Sequence, residues 1–333
     1  MNIAVVILNW NGATLLETYL PSVVAYSSEA HIYVADNAST DNSISFLKEH
    51  YPSITIIQNT SNGGYAKGYN DALKQVKEPL YCLLNSDVEV TPNWLAPMQS
   101  LFVEHPEIGI AQPKIKDAKN RDYFEYAGAA GGFLDRFGYP FCRGRIFQAL
   151  EKDSGQYNDI TQIFWATGAC MFIRKSVFEA VDGFDEDYFA HQEEIDLCWR
   201  AQHLGHQVFY NGFSEVYHLG GSTLSNMNPK KTFLNFRNSL FTVLKNTRPK
   251  QAFILIFARL ILDGIAGLRF VGQLKPGHCI AILKAHISFY KHLGRMYRKR
   301  NKNFKNVHYF TTHSIVWSHF VNHRKKFNFL VKN

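Results

Sequence analysis

Four short polar clusters in this 333-residue sequence carry residue types that hold phosphates and metal ions or move protons. Asn85-Ser86-Asp87 follows the apolar run 80–84. A hard divalent ion prefers carboxylate and phosphate oxygens, so an oxygen-rich cluster there suits an ion bridging a diphosphate. The same residues also suit an Asx turn ahead of a helix at Pro92. Glu193-Glu194 opens a segment with helical spacing. Two adjacent carboxylates at a helix start can hold one base with a raised pKa, and they are equally the acids a helix dipole favours. Glu193, Asp196 and Arg200 would share a face, with Glu194 beside them in the first turn. Asp36 closes the run 31–35 and can accept hydrogen bonds from a base imide or a ribose hydroxyl. The neighbouring Ser39, Thr40 and Asp41 suit the start of the next helix. Lastly, Gly63 and Gly64 precede Lys67 and Asn70, a pairing of free backbone N–H groups and a cation that suits phosphate.

The elements that must position these clusters are legible in the first hundred residues. Apolar, β-branched runs at 3–8, 31–35, 54–57 and 80–84 read as strands, with helices near 14–26, 42–49 and 66–76. Strands about 25 residues apart with helices between them are βαβ units, which predict a parallel sheet with right-handed crossovers. Ligands collect at the carboxyl ends of such strands. Here those ends carry Asn9 to Asn11, Asp36 with Asn37, and Asn85 to Asp87. Residues 111–161 are irregular and glycine-containing, which predicts β-ribbons and loops, some of them mobile. Order returns with a strand at 169–173, a helix at 193–204, short strands at 208–210 and 215–218, and a helix from Pro229 to near Asn246.

Composition divides the chain. Hydrophobic residues make up 46% and charged residues 19%, which excludes a mainly disordered, collagenous or coiled-coil protein. The net charge of +8 conceals a split: residues 1–229 carry 15 Lys and Arg against 27 Asp and Glu, whereas residues 230–333 carry 21 against one, Asp263. The stretch 251–274 is apolar but interrupted by Arg259, Asp263 and Arg269, and each such charge costs about 2.5–3.5 kcal/mol near a bilayer centre. A simple span is therefore not expected. A second amphipathic stretch at 280–293 is followed by Arg295, Arg298, Lys299, Arg300, Lys302 and Lys305, with Tyr297 and Phe304 among them. Apolar faces bordered by cations describe helices lying in an anionic membrane interface. An ordinary helical subdomain with a solvated basic face is the alternative, and no nucleic-acid motif accompanies the charge. Five widely spaced cysteines without a CxxC pair read as reduced, buried thiols. The opening MNIAVVILNWNG has no basic leader and too short an apolar run for a signal peptide, so the expected compartment is the cytoplasm.

Six stretches together carry a family resemblance: VVILNWNG (5–12), VADNASTDNS (34–43), NTSNGGYAKGYNDAL (59–73), LLNSDVEV (83–90), WATGACMFIRKSVFEAVDGFDEDYFAHQEEIDLCWR (165–200) and VYHLGGSTL (216–224). In this order they resemble family 2 glycosyltransferases, closest to bacterial rhamnosyltransferase-like members of polysaccharide assembly. The resemblance implies an α/β, GT-A-type, Rossmann-like mixed sheet flanked by helices as a catalytic domain over 1–249. The residues 250–333 would form a basic, amphipathic helical extension that associates with membrane. It implies that Asp36 holds the base, with Leu8 (through its backbone), Trp10 and Asn62 lining the nucleotide pocket and Lys67 and Asn70 in the matching loop. Asp87 resembles the metal-binding acid of the family's DxD element, whose first acid is here Asn85, followed by Ser86. Metal ligation then rests on one carboxylate plus the diphosphate. Glu193-Glu194 stands in place of the family's Glu-Asp pair, which makes Glu194 the expected base. Asp196 and Arg200 would support the site. Gly168-Ala169 and Phe184-Asp185-Glu186 resemble the acceptor-side and loop motifs. His218 would approach the metal or diphosphate, or else serve as a structural histidine.

The implied activity is inverting transfer of a sugar from a UDP-, dTDP- or GDP-sugar, with Mg²⁺ or Mn²⁺, to a hydroxyl of a saccharide acceptor. A lipid-linked acceptor and a peripheral position at the inner face of the cytoplasmic membrane follow from the basic extension. A sugar nucleotidyltransferase would need a Gly-rich, cationic triphosphate loop after the first strand, where this chain has Asn11-Gly12-Ala13-Thr14. A catalytically impaired membrane scaffold keeping the fold is the remaining alternative, hinted at only by Asn85 and Glu194.

Overall fold

In the computed structural model, residues 1–220, 228–300, 305 and 307–330 are described. Residues 221–224 of the VYHLGGSTL stretch, and Lys302 and Phe304, lie outside them. The main sheet starts from four strands, β1 (Ile3–Asn9), β2 (Ala30–Asp36), β3 (Thr55–Gln58) and β4 (Leu80–Asn85), separated by α1 (Ala13–Tyr26), α2 (Ser43–His50) and α3 (Gly64–Leu73). All three pairings among these strands are parallel, in the spatial order β4-β1-β2-β3. The continuous apolar run of β1 has a plain cause. Ile3, Val5 and Ile7 pack into one core with α1, while Ala4 and Val6 face a second core on the other side of the sheet. Such strands are buried on both faces and need no polar alternation.

The rest of the sheet is mixed. After β5 (Val88–Val90) and α4 (Leu95–Glu104) comes the ten-residue β6 (Ile108–Asp117). The helix anticipated at Pro92 begins three residues later, because Thr91 to Asn93 form the turn into it. Residues 111–161 form the short β-ribbons expected of them. Beyond β6 they supply β7 (Gly132–Asp135), β8 (Pro140–Cys142), β9 (Arg145–Ile146), β10 (Ala149–Leu150) and β11 (Ile160–Gln162). β12 (Cys170–Arg174) inserts antiparallel between β4 and β6. After α5 (Lys175–Ala180) and α6 (Glu193–His203), the two short strands expected near 208 and 216 are one strand, β13 (Gln207–His218). An irregularity between Asn211 and Glu215 makes its sequence look interrupted. The order among the described residues is β11-β13-β6-β12-β4-β1-β2-β3, with β5 on β13.

Three helices follow: α7 (Pro229–Asn246), α8 (Pro249–Gly272) and α9 (Pro276–Arg298). Beyond them, β14 (Phe310–Thr312) pairs parallel with β7 and completes a smaller sheet, ahead of α10 (Ile315–Phe320). Phe327 packs against Phe133 and Phe141. Residues 250–333 thus supply a strand and core side chains to the sheet formed by 132–150.

The charges that interrupt α8 point inward. Arg259 and Asp263 are 1% and 0% exposed. Arg259 Nε donates to Asp263 Oδ1 (3.2 Å), its Nη1 donates to Ser239 Oγ of α7 (2.9 Å), and the guanidinium lies 3.8 Å from the centre of the Tyr139 ring. Asp263 also accepts from the Tyr139 hydroxyl (2.6 Å) and contacts His286 Nε2 of α9 (3.0 Å). Burial alone would raise the Asp263 pKa, but Arg259 and His286 hold it below the usual carboxylate range. The opposite face of α8 is apolar and open to solvent: Ile254, Phe257 and Leu268 are 70%, 68% and 72% exposed. The sequence suggested an apolar face bordered by Arg259 and Asp263; the structure puts these two charges on the far side, joining α7, α8, α9 and the 137–139 turn. Among the described residues no helix is long and apolar enough to cross a membrane. Removing one partner of a buried ion pair strands the other, at a cost of about 3–5 kcal/mol. Asp263→Asn should therefore lose about that much unfolding free energy in urea titrations; a loss below about 1 kcal/mol would show that the network does not hold the helices.

Candidate active site

The strand ends of β1 and β2 are locked together before any ligand arrives. Asn9, fully buried, donates from Nδ2 to Asp36 Oδ1 (3.1 Å) and Ser39 Oγ (3.3 Å). Asp36 Oδ2 accepts from the Ser39 amide (2.9 Å), which leaves the carboxylate 2% exposed and fixed in direction. Asp41 accepts from the Ala13 amide at the start of α1 (3.0 Å) and from the Ser43 hydroxyl at the start of α2 (2.6 Å), so it caps rather than binds. Leu8 is half-buried at this edge, and the Trp10 ring beside it is 48% exposed.

Asn62 joins the edge through its side-chain oxygen, which accepts from Asn37 Nδ2 (3.0 Å) and the Gly64 amide (3.0 Å). Gly64 has φ +78°, and a Cβ there would stand 2.3 Å from the Phe189 carbonyl. That close approach lets the Tyr65 amide donate to the same carbonyl (2.8 Å), seating the 62–65 loop on the segment that leads into α6. Two residues expected in the nucleotide loop are engaged elsewhere. Lys67 pairs with Asp71 one turn along α3 (2.7 Å). Asn70 donates to the Phe184 carbonyl (2.8 Å) and accepts from its amide (2.9 Å), so it positions the 183–186 loop instead of lining the pocket.

At the end of β4, Asn85 and Ser86 are half-buried and Asp87 is 4% exposed. His218, at the end of β13, places Nε2 3.1 Å from Asp87 Oδ1 and Nδ1 3.5 Å from Glu125 Oε1. Burial disfavours the imidazolium, but Glu125 and Asp87 outweigh it and lift the pKa of His218 to about 10. Nδ1 has no hydrogen-bond partner, although it is buried. Asp87 is the carboxylate here that a hard divalent ion would share with phosphate oxygens, and His218 lies between it and Glu125 as an ion-pair partner. Among the described residues no group of three or more His, Cys, Asp or Glu side chains is placed to hold a metal ion.

The pair Glu193-Glu194 is delivered by a strained turn. Phe189, His191 and Gln192 all have positive φ (65°, 70° and 73°). Such a cluster persists only where surroundings over-determine it. Here Asn238 of α7 donates from Nδ2 to the carbonyls of Tyr188 (3.0 Å), Ala190 (2.9 Å) and His191 (2.7 Å). Glu193 is 4% exposed with Oε2 unpartnered; burial, then Glu194, pushes its pKa well up. Burial raises Glu194 to about 7, and its side chain remains partly exposed. Tyr65 lies close enough to feel both carboxylates, and its hydroxyl donates to the Gly168 carbonyl (2.8 Å). The next carbonyl, Ala169, accepts from the Asn85 amide (3.0 Å). A short chain of contacts therefore links the strand end bearing Asp87 with the helix start bearing Glu194.

Asp196 and Arg200 face away from this opening. Asp196, fully buried, accepts from Arg200 Nε (2.8 Å), Lys245 Nζ (2.9 Å) and Asn246 Nδ2 (2.8 Å). Lys245 also reaches Asp185 (2.6 Å). Glu193, Asp196 and Arg200 thus do not act as one face: Asp196 and Arg200 secure the helix. Nothing local in the sequence marked Glu125, Asn238 or Lys245, because their partners lie dozens of residues away.

A mixed sheet of this order, with acids at the ends of β2 and β4 and a carboxylate pair at the head of α6, defines a glycosyltransferase of the GT-A class. Two solved structures share the fold. A mannosyltransferase from Pyrobaculum calidifontis, in complex with GDP-Man and Mn²⁺, has a TM-score of 0.54 at 13% identity, covering 86% of each chain. S. aureus TarS residues 1–349, in complex with UDP-GlcNAc, has a TM-score of 0.58 at 14% identity, covering 90% of this chain and 84% of that one. The family model described as Glycosyl transferase family 2 matches residues 4–182, and the chain belongs to that family. Its relatives include the N-acetylglucosaminyl-diphospho-decaprenol L-rhamnosyltransferase of Mycobacterium tuberculosis, 24% identical over 64% of this chain and 75% of that protein. Rhamnosyltransferase WbbL of Escherichia coli is 29% identical over 49% of this chain and 62% of its own.

The Lys245 junction gives a pH prediction. Burial works against the charged forms of Asp185 and Asp196, but Lys245 overrides it and holds both below the usual carboxylate range. Acids with depressed folded values contribute stability above their unfolded value of about 3.9 and lose it as pH falls through the lower folded values. Lys245→Met removes that depression, so acid unfolding should begin at a higher pH than in the unmodified chain. Coincident acid-unfolding curves followed by circular dichroism would contradict this.

Proposed function

We propose that this glycosyltransferase moves a sugar from a nucleoside diphosphate sugar (UDP-, dTDP- or GDP-linked) to a hydroxyl of a lipid-linked saccharide, with inversion, in the assembly of a cell-surface polysaccharide. The observation that carries the reading is the chain of contacts, through Asn85, Ala169, Gly168 and Tyr65, that connects the strand end bearing Asp87 with a carboxylate raised to about 7, Glu194, at the head of α6. Asp36, fixed by Asn9 and Ser39, accepts from the nucleotide base, with Leu8, Trp10 and Asn62 around it. Asp87 and His218 would hold Mg²⁺ or Mn²⁺ with Asn85 and Ser86 nearby; when bound, the ion supplies Lewis-acid neutralisation of the departing diphosphate. Glu194 takes the proton of the acceptor hydroxyl as the oxygen attacks the anomeric carbon. Burial and the neighbouring Glu194 push the Glu193 carboxyl well above the usual carboxylate range, which disfavours a second negative charge in the same turn. A single displacement inverts configuration. The rhamnosyltransferase of M. tuberculosis, whose name gives a diphospho-decaprenol-linked acceptor, supports a lipid-linked acceptor here. The exposed cations Arg269, Lys284, Lys291 and Arg298 support an anionic membrane surface as partner, at the inner face of the cytoplasmic membrane.

Asp87→Ala and Glu194→Gln should each lower transfer by about 10²–10⁴-fold, Glu194→Gln with thermal unfolding in place and Asp87→Ala with a lower unfolding temperature, because it strands His218. Near-normal turnover by Glu194→Gln would remove the base assignment. In the unmodified enzyme kcat/KM should rise about tenfold per pH unit below about pH 7 and level off above it, the limb belonging to the Glu193–Glu194 pair as a unit. Binding to vesicles containing phosphatidylglycerol should weaken with added salt and in the Lys284→Glu, Lys291→Glu double variant. Equal binding to purely zwitterionic vesicles would set the charge aside as its cause.

A further inference from the structure

Helix α8 is inverted relative to an ordinary surface helix. Its two mid-helix charges, Arg259 and Asp263, are buried against α7 and α9, with Lys250 and Arg269 exposed toward its ends, and its outward face is Phe253, Ile254, Phe257, Ile261, Ile265 and Leu268, all more than half exposed. α9 continues the exposed apolar surface with Ile280, Leu283 and Ile287, but interleaves Lys284 and Lys291. Exposed apolar surface on this scale marks a contact with something apolar. Between the two helices lies a cavity of about 440 Å³, within the usual range for ligand clefts. Its walls include Leu260, Ile261, Ile265, Leu268, Ile282 and Leu283, and Gly264 and Gly267 leave the space open. A Cβ at Gly264 would meet nothing within 4 Å.

We propose that this groove takes the hydrocarbon chain of the lipid-linked acceptor, an inference that rests on the acceptor class assigned above. Charge argues against a second copy as occupant, since residues 230–333 hold 21 basic side chains and one acid, and pairing two such faces sets like charges together. The combination of an apolar outer face with cations at one side suits a lipid chain below and anionic headgroups beside it. Position favours the acceptor over bulk lipid. Asp263, which lines the groove, is bonded to Arg259, which donates to Ser239 on α7. The next residue along, Asn238, holds the carbonyls of the turn that presents Glu194. α7 therefore connects the groove-lining Asp263, through Arg259 and Ser239, with the turn that presents Glu194.

The test uses the full chain with phosphatidylcholine vesicles carrying a polyprenyl phosphate that bears a photoreactive diazirine. Adducts should map to 260–268 and 279–283. Gly264→Leu, which fills the groove and improves helix propensity, should reduce them about tenfold without altering vesicle flotation. It should also raise KM about tenfold for a long-chain acceptor while leaving transfer to a short-chain, water-soluble one unchanged. Adducts elsewhere, labelling undiminished in Gly264→Leu, or equal labelling by a diazirine phosphatidylcholine would each overturn the proposal. The photolabelling does not depend on turnover. Absence of transfer to either acceptor by the unmodified enzyme would count against the function, while the adduct map would still decide the groove.

Discussion

The position of the carboxylate pair depends on one buried ammonium. Lys245, 3% exposed, lies between Asp185 and Asp196, and so fastens α7 to the 185–188 turn on one side and to α6 on the other. Lys299 extends the junction, reaching both Asp185 and Asp187, and Arg295 reaches Asp187 (2.8 Å). α6, α7 and α9 are thereby fixed relative to the loop between them. Buried ions repay their desolvation only when each is well partnered, and here three carboxylates share four cations when Arg200 is counted. With that frame in place, Asn238 can hold the carbonyls of Tyr188, Ala190 and His191 and keep the turn, with its positive φ at Phe189, His191 and Gln192, from relaxing. The reactive geometry is thus imposed from outside the strand ends that would hold the donor.

A division of labour follows between the two sides of the site. The donor side is built from short-range material: Asn9, Asp36, Ser39 and Asn62 are bonded to one another at the ends of neighbouring parallel strands. The side bearing Glu194 is assembled from segments far apart in sequence, including a helix pair whose inner face is polar and whose outer face is apolar. Rigidity is concentrated where a common chemical group, a nucleotide, would be held. The open apolar surface lies on α8 and α9, which pack against α7.

Much of the first side was legible in the sequence. Uninterrupted β-branched runs give strands buried on both faces, and the polar residues that end them must gather at one edge; the strand positions at 3–9, 30–36 and 80–85 follow directly. What could not be read was pairing over distance. Lys245 sits in the middle of a helix with ordinary spacing, and only its partners 49 and 60 residues away give it meaning. Glu125 was hidden in a glycine-containing stretch that reads as loop, and β13 read as two strands because its irregularity falls at Asn211-Gly212. In α8 the sequence showed that charges interrupt an apolar run. It did not show which side they face, since Arg259 and Asp263 lie one turn apart and fit a solvated edge as well as a buried pair.

The pairing of β14 with β7 sets an order on how the molecule can be completed. The Ile315 amide closes on Asp135 across 180 residues of chain, and Phe327 seals Phe133 and Phe141 from a similar distance. At synthesis rates of about 5–20 residues per second, β7 waits roughly 10–40 s for its neighbour. From residue 218 onward the main sheet has all its strands, while the smaller one keeps an unpaired edge and open aromatic surface until 310–312 are made. The main sheet is thus supplied with all its strands before the smaller one is closed, which makes the late strand a timing element as much as a structural one.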